Sequence, residues 1–206
     1  LEMGERQILP IVDQVPVICS INGTDPTRLM KQFIRKVIEA GFSGVNNFPT
    51  VGLIDGNFRR ALEETGMGYG KEVEMIATAH EMDVFTMAYA FTPDEARRMA
   101  EAGCDMLLAH VGLTSGGAIG AQNTMSLDDA IALTASMAAA AREVNPEILV
   151  LSHGGPISKP EDVRRVQERL NIHGFVGASS MERLPVEKGI RETTAAFAAI
   201  SLDGKK

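Results

Sequence analysis

Short, nearly continuous apolar runs alternate along the chain with longer stretches in which apolar residues recur every three to four positions. The runs are Val15–Ile21, Gly44–Phe48, Val84–Ala90, Met106–Val111, Ile148–Ser152 and Gly174–Ala178. Runs of this kind predict parallel strands covered on both faces. Helix punctuation lies between them. Asp25-Pro26 opens a helix that ends before Gly41, and Thr92-Pro93 opens one that stops at Gly103. Ser126 opens an Ala-rich helix running to Val144, Lys159-Pro160 opens the next, and Leu184-Pro185 the last. Residues 56–82 predict two helices broken at 65–68, and the tail 203–206 is expected to fray.

Strict strand–helix alternation fits either an open doubly wound sheet or a closed (β/α)8 barrel. The open dinucleotide-binding form calls for G-x-G-x-x-G after its first strand, and the sequence has none there. Instead, polar and Gly-rich segments follow nearly every strand: NGTDP, NNFPT, HVGLTSGG, SHGGP and GASSMER. Function spread over many strand ends is the barrel pattern. The six units are two short of eight, and the sequence begins at Leu1 with what reads as the end of a helix. The expectation is an α/β fold, a (β/α)8 TIM barrel that is N-terminally incomplete, with one partial domain over 1–202. A self-contained six-unit open sheet is the alternative.

Charge and composition narrow the partners. With 20 Lys+Arg against 27 Asp+Glu, the net charge is −7, and there are 8 Phe, 2 Tyr and no Trp. An acidic chain without a basic block makes a poor nucleic-acid binder. Cys19 and Cys104 are too few for a disulfide framework or zinc finger and read as packing thiols. No apolar run approaches the ~18–20 residues of a membrane span, and no signal peptide opens the chain. A cytoplasmic protein with a small anionic metabolite as partner, and no nucleic acid or membrane, is expected.

The strings NGTDP, NNFPTVGLIDG, LEETGMGY, HVGLTSGGAIGA, LSHGGPI and GASSMERLP, in this order and spacing, resemble the phosphoenolpyruvate-hydrolase-like TIM-barrel family. That family occurs as standalone bacterial proteins and as the C-terminal domain of Tm-1-like plant proteins. The resemblance covers nearly the whole chain but not the N-terminal segment that carries the family's first two strands. It implies a barrel related to phosphoenolpyruvate- and pyruvate-binding enzymes of the hydrolase or lyase class. Fold by itself does not supply the chemistry.

Candidate chemistry sits at the strand ends. Ser152, Gly154 and Gly155 in one loop and Gly177, Ser179 and Ser180 in the next offer amide and hydroxyl donors. This is where such barrels commonly bind phosphate. Plain tight turns are the bland reading. His110 and His153 close neighbouring strands, within reach of one mouth, and are acid/base candidates; structural rim histidines are the alternative. Glu182 joins them as a catalytic candidate, or as the carboxylate of a metal set. Asn22 and Asn47 are substrate-binding candidates, Asn47 on the expectation that alternation aims it inward. The Gly-rich stretch 110–125 reads as a lid over the mouth or a further source of backbone donors, with plain flexibility as the alternative. Mg²⁺ is an open cofactor question: the phosphoenolpyruvate mutase and isocitrate lyase barrels hold it with strand-end carboxylates, and no matching acidic cluster is visible here. The runner-up function is a non-catalytic metabolite-binding or assembly barrel. Two unpaired sheet edges also predict poor solubility or a homo-oligomer.

Overall fold

The computed structural model describes residues 1–200, so the expected fraying at 203–206 lies outside the described residues. The apolar runs become the strands β1 (Ile18–Ser20), β2 (Gly44–Asn46), β3 (Phe85–Ala90), β4 (Met106–His110), β5 (Leu149–His153) and β6 (Gly174–Val176). They form one sheet in the order β1-β2-β3-β4-β5-β6, every neighbouring pair parallel. Sequential parallel order with a helical crossover at each step is the TIM-barrel arrangement, here as six consecutive units. β1 and β6 are the sheet edges among the described residues.

The crossovers are α1 (Met30–Glu39), α2 (Gly56–Glu64) with α3 (Tyr69–Glu81), α4 (Pro93–Glu101), α5 (Leu127–Val144) and α6 (Pro160–Arg169). Beyond β6 come α7 (Ser179–Glu182) and α8 (Leu184–Ala198). The caps act as the sequence suggests. Thr92 Oγ1 accepts the Glu95 N–H, and Ser126 Oγ accepts the Asp129 N–H. One boundary differs: α1 starts at Met30, not Pro26. The Asp25 carboxylate accepts the N–H and hydroxyl of Thr27 and the Nε–H of Arg28. A carboxylate satisfied two residues ahead closes a local turn and delays the helix.

Two faces of the sheet have different jobs. Val45, Ala88, Leu107, Ala109 and Val150 belong to the main apolar cluster with the helices. Register places Tyr89, Leu108, His110, Leu151, His153 and Val176 on the other face, because side chains alternate along a strand. Small residues fill the helix layer: α4 and α5 lie against each other, and Ala96, Ala100, Ala130, Ala138 and Ala141 on them are all buried. Cys19 and Cys104 are buried too; burial raises both thiol pKa values, that of Cys104 to about 12. Both therefore stay protonated packing groups.

Gly44 pairs with Phe85 across β2 and β3, and a Cβ there would lie 2.4 Å from the Phe85 carbonyl oxygen. Backbone cannot yield as a side chain does. Gly44→Ala should therefore cost about 1–3 kcal/mol, read as a lower urea midpoint at unchanged slope. An unchanged midpoint would show that the strands are not this close.

Candidate functional site

His110 and His153 are register partners at the C-terminal ends of β4 and β5. Their ring centroids are 4.7 Å apart, with planes at 61°. Aromatic side chains wall the pair. The Tyr89 ring, from the end of β3, is 5.9 Å from His110 and 5.5 Å from His153. Phe91 lies 4.7 Å from His110, and Phe48 is 5.4 Å from Tyr89. The two histidines are 3% and 7% exposed. Burial drives the His110 pKa down to about 3, helped by the neighbouring His153; burial also lowers that of His153. Both rings are neutral at pH 7, because an imidazolium loses too much hydration there.

Backbone groups hold each ring. Gly112 N–H donates to His110 Nδ1 at 3.0 Å, and His153 Nδ1 bonds the Val176 carbonyl at 2.8 Å. Neither Nε2 has a hydrogen-bond partner among the described residues, yet no fully buried side-chain polar atom among them lacks one. Both Nε2 atoms therefore reach solvent. The arrangement can exchange a proton with a small molecule at the mouth.

Behind the pair stands a polar support that motif reading did not single out. Glu72 on α3 is fully buried. Its carboxylate accepts the Val51 N–H at 2.8 Å and the Asn47 amide at 2.6 Å. Asn47 also bridges to the main chain of β3, accepting Tyr89 N–H at 2.7 Å and donating to Tyr89 O at 3.2 Å. Tyr69 O–H donates to the same carbonyl at 2.5 Å. The backbone of Tyr89 is thus clamped from the helix layer. Burial pushes the Glu72 carboxyl up to about 7, against the Thr50, Val51 and Asn47 donors that pull it down. The sequence did hold a signal: Tyr69, Glu72, Ile76 and Ala79 fall at helical spacing and are all fully buried. A carboxylate inside such an apolar stripe marks a buried polar site.

The other expected residues are placed as follows. Asn47 lies on the helix side of β2, where its amide is used by Glu72 and Tyr89. Asn46 instead shares the face of Tyr89 by register, so the inward position of this pair is Asn46. Asn22 is exposed, its Oδ1 accepting from Thr24 N–H and Oγ1. Ser152 is buried and donates to Gly174 O at 3.4 Å. The Gly155 amide is used within the fold: it donates to Gly112 O at 2.7 Å, joining the β5 loop to the β4 loop. Gly154 reinforces that crossing, with φ +84° and only 2.2 Å between a notional Cβ and Gly112 O. The Gly154, Ser179 and Ser180 N–H groups have no acceptor among the described residues.

Glu182 is exposed and bonds neither histidine among the described residues. No cluster of three or more His, Cys, Asp or Glu able to hold a metal occurs among the described residues. Mg²⁺ prefers a carboxylate and water shell, and paired imidazoles do not fit it. Arg183, next to Glu182, has a clear task. It donates to Gly116 O at 3.2 Å and pairs with Glu187 at 2.9 Å, while Glu187 accepts the Ala118 N–H at 2.8 Å. The Gly-rich loop is thereby tied down to α8. Beside it lies a cleft of about 760 Å³ lined in part by Ser158, Lys159, Ser180, Lys188 and Arg191.

Glu72 makes a pH test. Its carboxyl holds its proton to about pH 7 when folded and has an ordinary value of 4.5. Its stabilising contribution is full below 4.5 and is lost as pH rises to about 7. Glu72→Gln should remove that slope. It should also be about 1–3 kcal/mol less stable at low pH, because its amide NH₂ meets another donor. Urea unfolding of both proteins across this pH range checks it; equal slopes would refute the buried-carboxyl assignment.

Comparison with known proteins adds to this geometry. The sequence pattern of the family described as "Phosphoenolpyruvate hydrolase-like" matches residues 1–200. The "ToMV susceptible protein tm-1(GCR26)" of Solanum lycopersicum is 53% identical over 204 residues, covering 98% of this chain and 27% of that protein. The "ToMV resistance protein Tm-1(GCR237)" of the same plant is 52% identical, with the same coverage. The chain thus spans 27% of the length of these curated relatives. A crystal structure of dihydrodipicolinate synthase superposes with a TM-score of 0.50 at 15% identity, covering 82% of this chain and 57% of that one, a likeness of fold alone. No helix among the described residues is long and apolar enough to cross a membrane. With the family pattern running through all the described residues, the chain belongs to the phosphoenolpyruvate hydrolase-like family.

Proposed function

We propose that the chain is an enzyme for a small 2-oxo-acid or phosphorylated metabolite, phosphoenolpyruvate- or pyruvate-like, bound where β3, β4 and β5 end. The reaction moves a proton at an enol-type centre. The observation that carries this reading is the neutral His110–His153 pair inside an aromatic wall, each ring fixed by a backbone group and each Nε2 open to solvent. A neutral, pre-oriented imidazole can accept a proton or donate a hydrogen bond through its open nitrogen, and the desolvated wall strengthens each polar contact made to the substrate. The anionic end of the ligand meets the free amides of Gly154, Ser179 and Ser180. The neighbouring cleft balances Lys159, Lys188 and Arg191 against Glu161, Glu187 and Glu192, so the backbone amides carry the anion recognition in this reading. Membership of the phosphoenolpyruvate hydrolase-like family supports the substrate class.

A second reading, an assembly barrel, is favoured by one observation. Helix α8 buries no residue, and Val186, Ile190 and Phe197 are 54–70% exposed. A homo-oligomer or other assembly through that face is compatible with the enzyme reading.

Isothermal titration with pyruvate, phosphoenolpyruvate and inorganic phosphate tests the site. Saturable heat is expected with at least one carboxylated ligand, and weakening of it in His153→Ala. No heat from any of the three would overturn the reading.

A further inference from the structure

The two histidines look alike in burial but not in hydrogen bonding. A neutral imidazole carries one N–H, so the partner of one nitrogen fixes what the other can do. Gly112 N–H is a donor, and it occupies His110 Nδ1. The His110 proton must then sit on Nε2. The Val176 carbonyl can only accept, and it occupies His153 Nδ1. The His153 proton must then sit on Nδ1, leaving Nε2 with a bare lone pair. Both Nε2 atoms reach solvent, since no fully buried side-chain polar atom among the described residues lacks a partner. A molecule at the mouth therefore meets one donor and one acceptor.

We infer that the pair has a fixed division of labour: His153 Nε2 is the base that removes a proton from carbon, and His110 Nε2–H is the donor that binds the adjacent carbonyl oxygen. This inference rests on the 2-oxo-acid reading above and adds the direction of proton flow. With pyruvate, the His153 Nε2 lone pair takes a methyl proton, and the C–H electron pair becomes the C=C bond. The carbonyl π pair moves onto oxygen, giving an enolate hydrogen-bonded to His110 Nε2–H. Return of the proton, or of a deuteron from solvent, restores the keto acid, and no oxidant or co-reactant is consumed. The cation formed on His153 keeps its Nδ1–H bond to the Val176 carbonyl and faces the enolate it has created. His110 stays neutral throughout, as a donor to a developing oxyanion should.

The scaffold explains why the assignment cannot easily reverse. Gly112 N–H and Val176 C=O are backbone groups whose polarity no side-chain rotation changes. The positive φ of Gly112, +113°, sets the turn that brings its N–H back onto His110.

Two measurements on the 206-residue chain test this. Long-range ¹H–¹⁵N correlation spectra of the free protein should show His110 as the Nε2–H tautomer and His153 as the Nδ1–H tautomer. ¹H NMR of pyruvate in D₂O should show protein-catalysed loss of the methyl signal. His153→Ala should lose at least about 100-fold of that exchange rate while still binding pyruvate. His110→Ala should lose about 100-fold or more, with His110→Gln, which keeps an N–H donor, recovering part of it. Swapped or mixed tautomers would overturn the inference even if pyruvate binds. So would exchange that survives in His153→Ala, or wild-type protein that binds pyruvate without exchange. Wild-type protein that neither binds nor exchanges pyruvate, with the tautomers as assigned, would instead overturn the 2-oxo-acid reading beneath it.

Discussion

Desolvation of two imidazoles at one register position is the constraint on which the site depends. The β4–β5 pairing sets His110 beside His153, and a shift of one residue would send one ring into the helix layer. Once buried side by side, neither ring can hold a positive charge cheaply. Each must be neutral, and each neutral ring must satisfy its Nδ1 from the backbone. From that requirement follow the turn at Gly112, the edge contact to Val176 and the two open Nε2 atoms. Chemistry at the mouth is then a consequence of which backbone group happens to face which ring.

The rest of the rim is organised to keep that geometry. Asn47, itself held by Glu72, and Tyr69 grip the Tyr89 main chain from behind, so the aromatic wall is set by hydrogen bonds as well as by packing. This is a costly device: a carboxylate placed in an apolar helix stripe is stabilised only by the donors gathered around it. On the other side, Gly155 and Gly112 join the loops after β5 and β4. Arg183 and Glu187 hold the loop around Gly116 and Ala118 against α8.

Much of the fold was legible because its signals are local. Apolar runs, N-caps at Thr92 and Ser126, and the break between α2 and α3 each depend on a few neighbouring residues. The delayed start of α1 was not legible, since a carboxylate that caps a helix and one that closes a turn share the same sequence signature. For the site, the histidines at strand ends could be read directly. The inward member of Asn46-Asn47 could not, because which face is inward depends on how β2 pairs with its neighbours. Gly155 shows the same limit in the loops: glycine reads as a bare amide for a ligand, yet only the tertiary crossing with Gly112 reveals that the amide is already used. Glu72 could have been found by extending the helical periodicity test to charged residues.

The account stands most directly on the charge state of the two rings. A pH titration of the His110 and His153 Cε1 proton shifts by NMR measures it. The account predicts that His110 stays flat down to about pH 5 and that His153 titrates below the free-histidine value of ~6.5. Either ring gaining its proton at or above that value would contradict it, because a charged imidazole could not then be excluded from the mouth by burial.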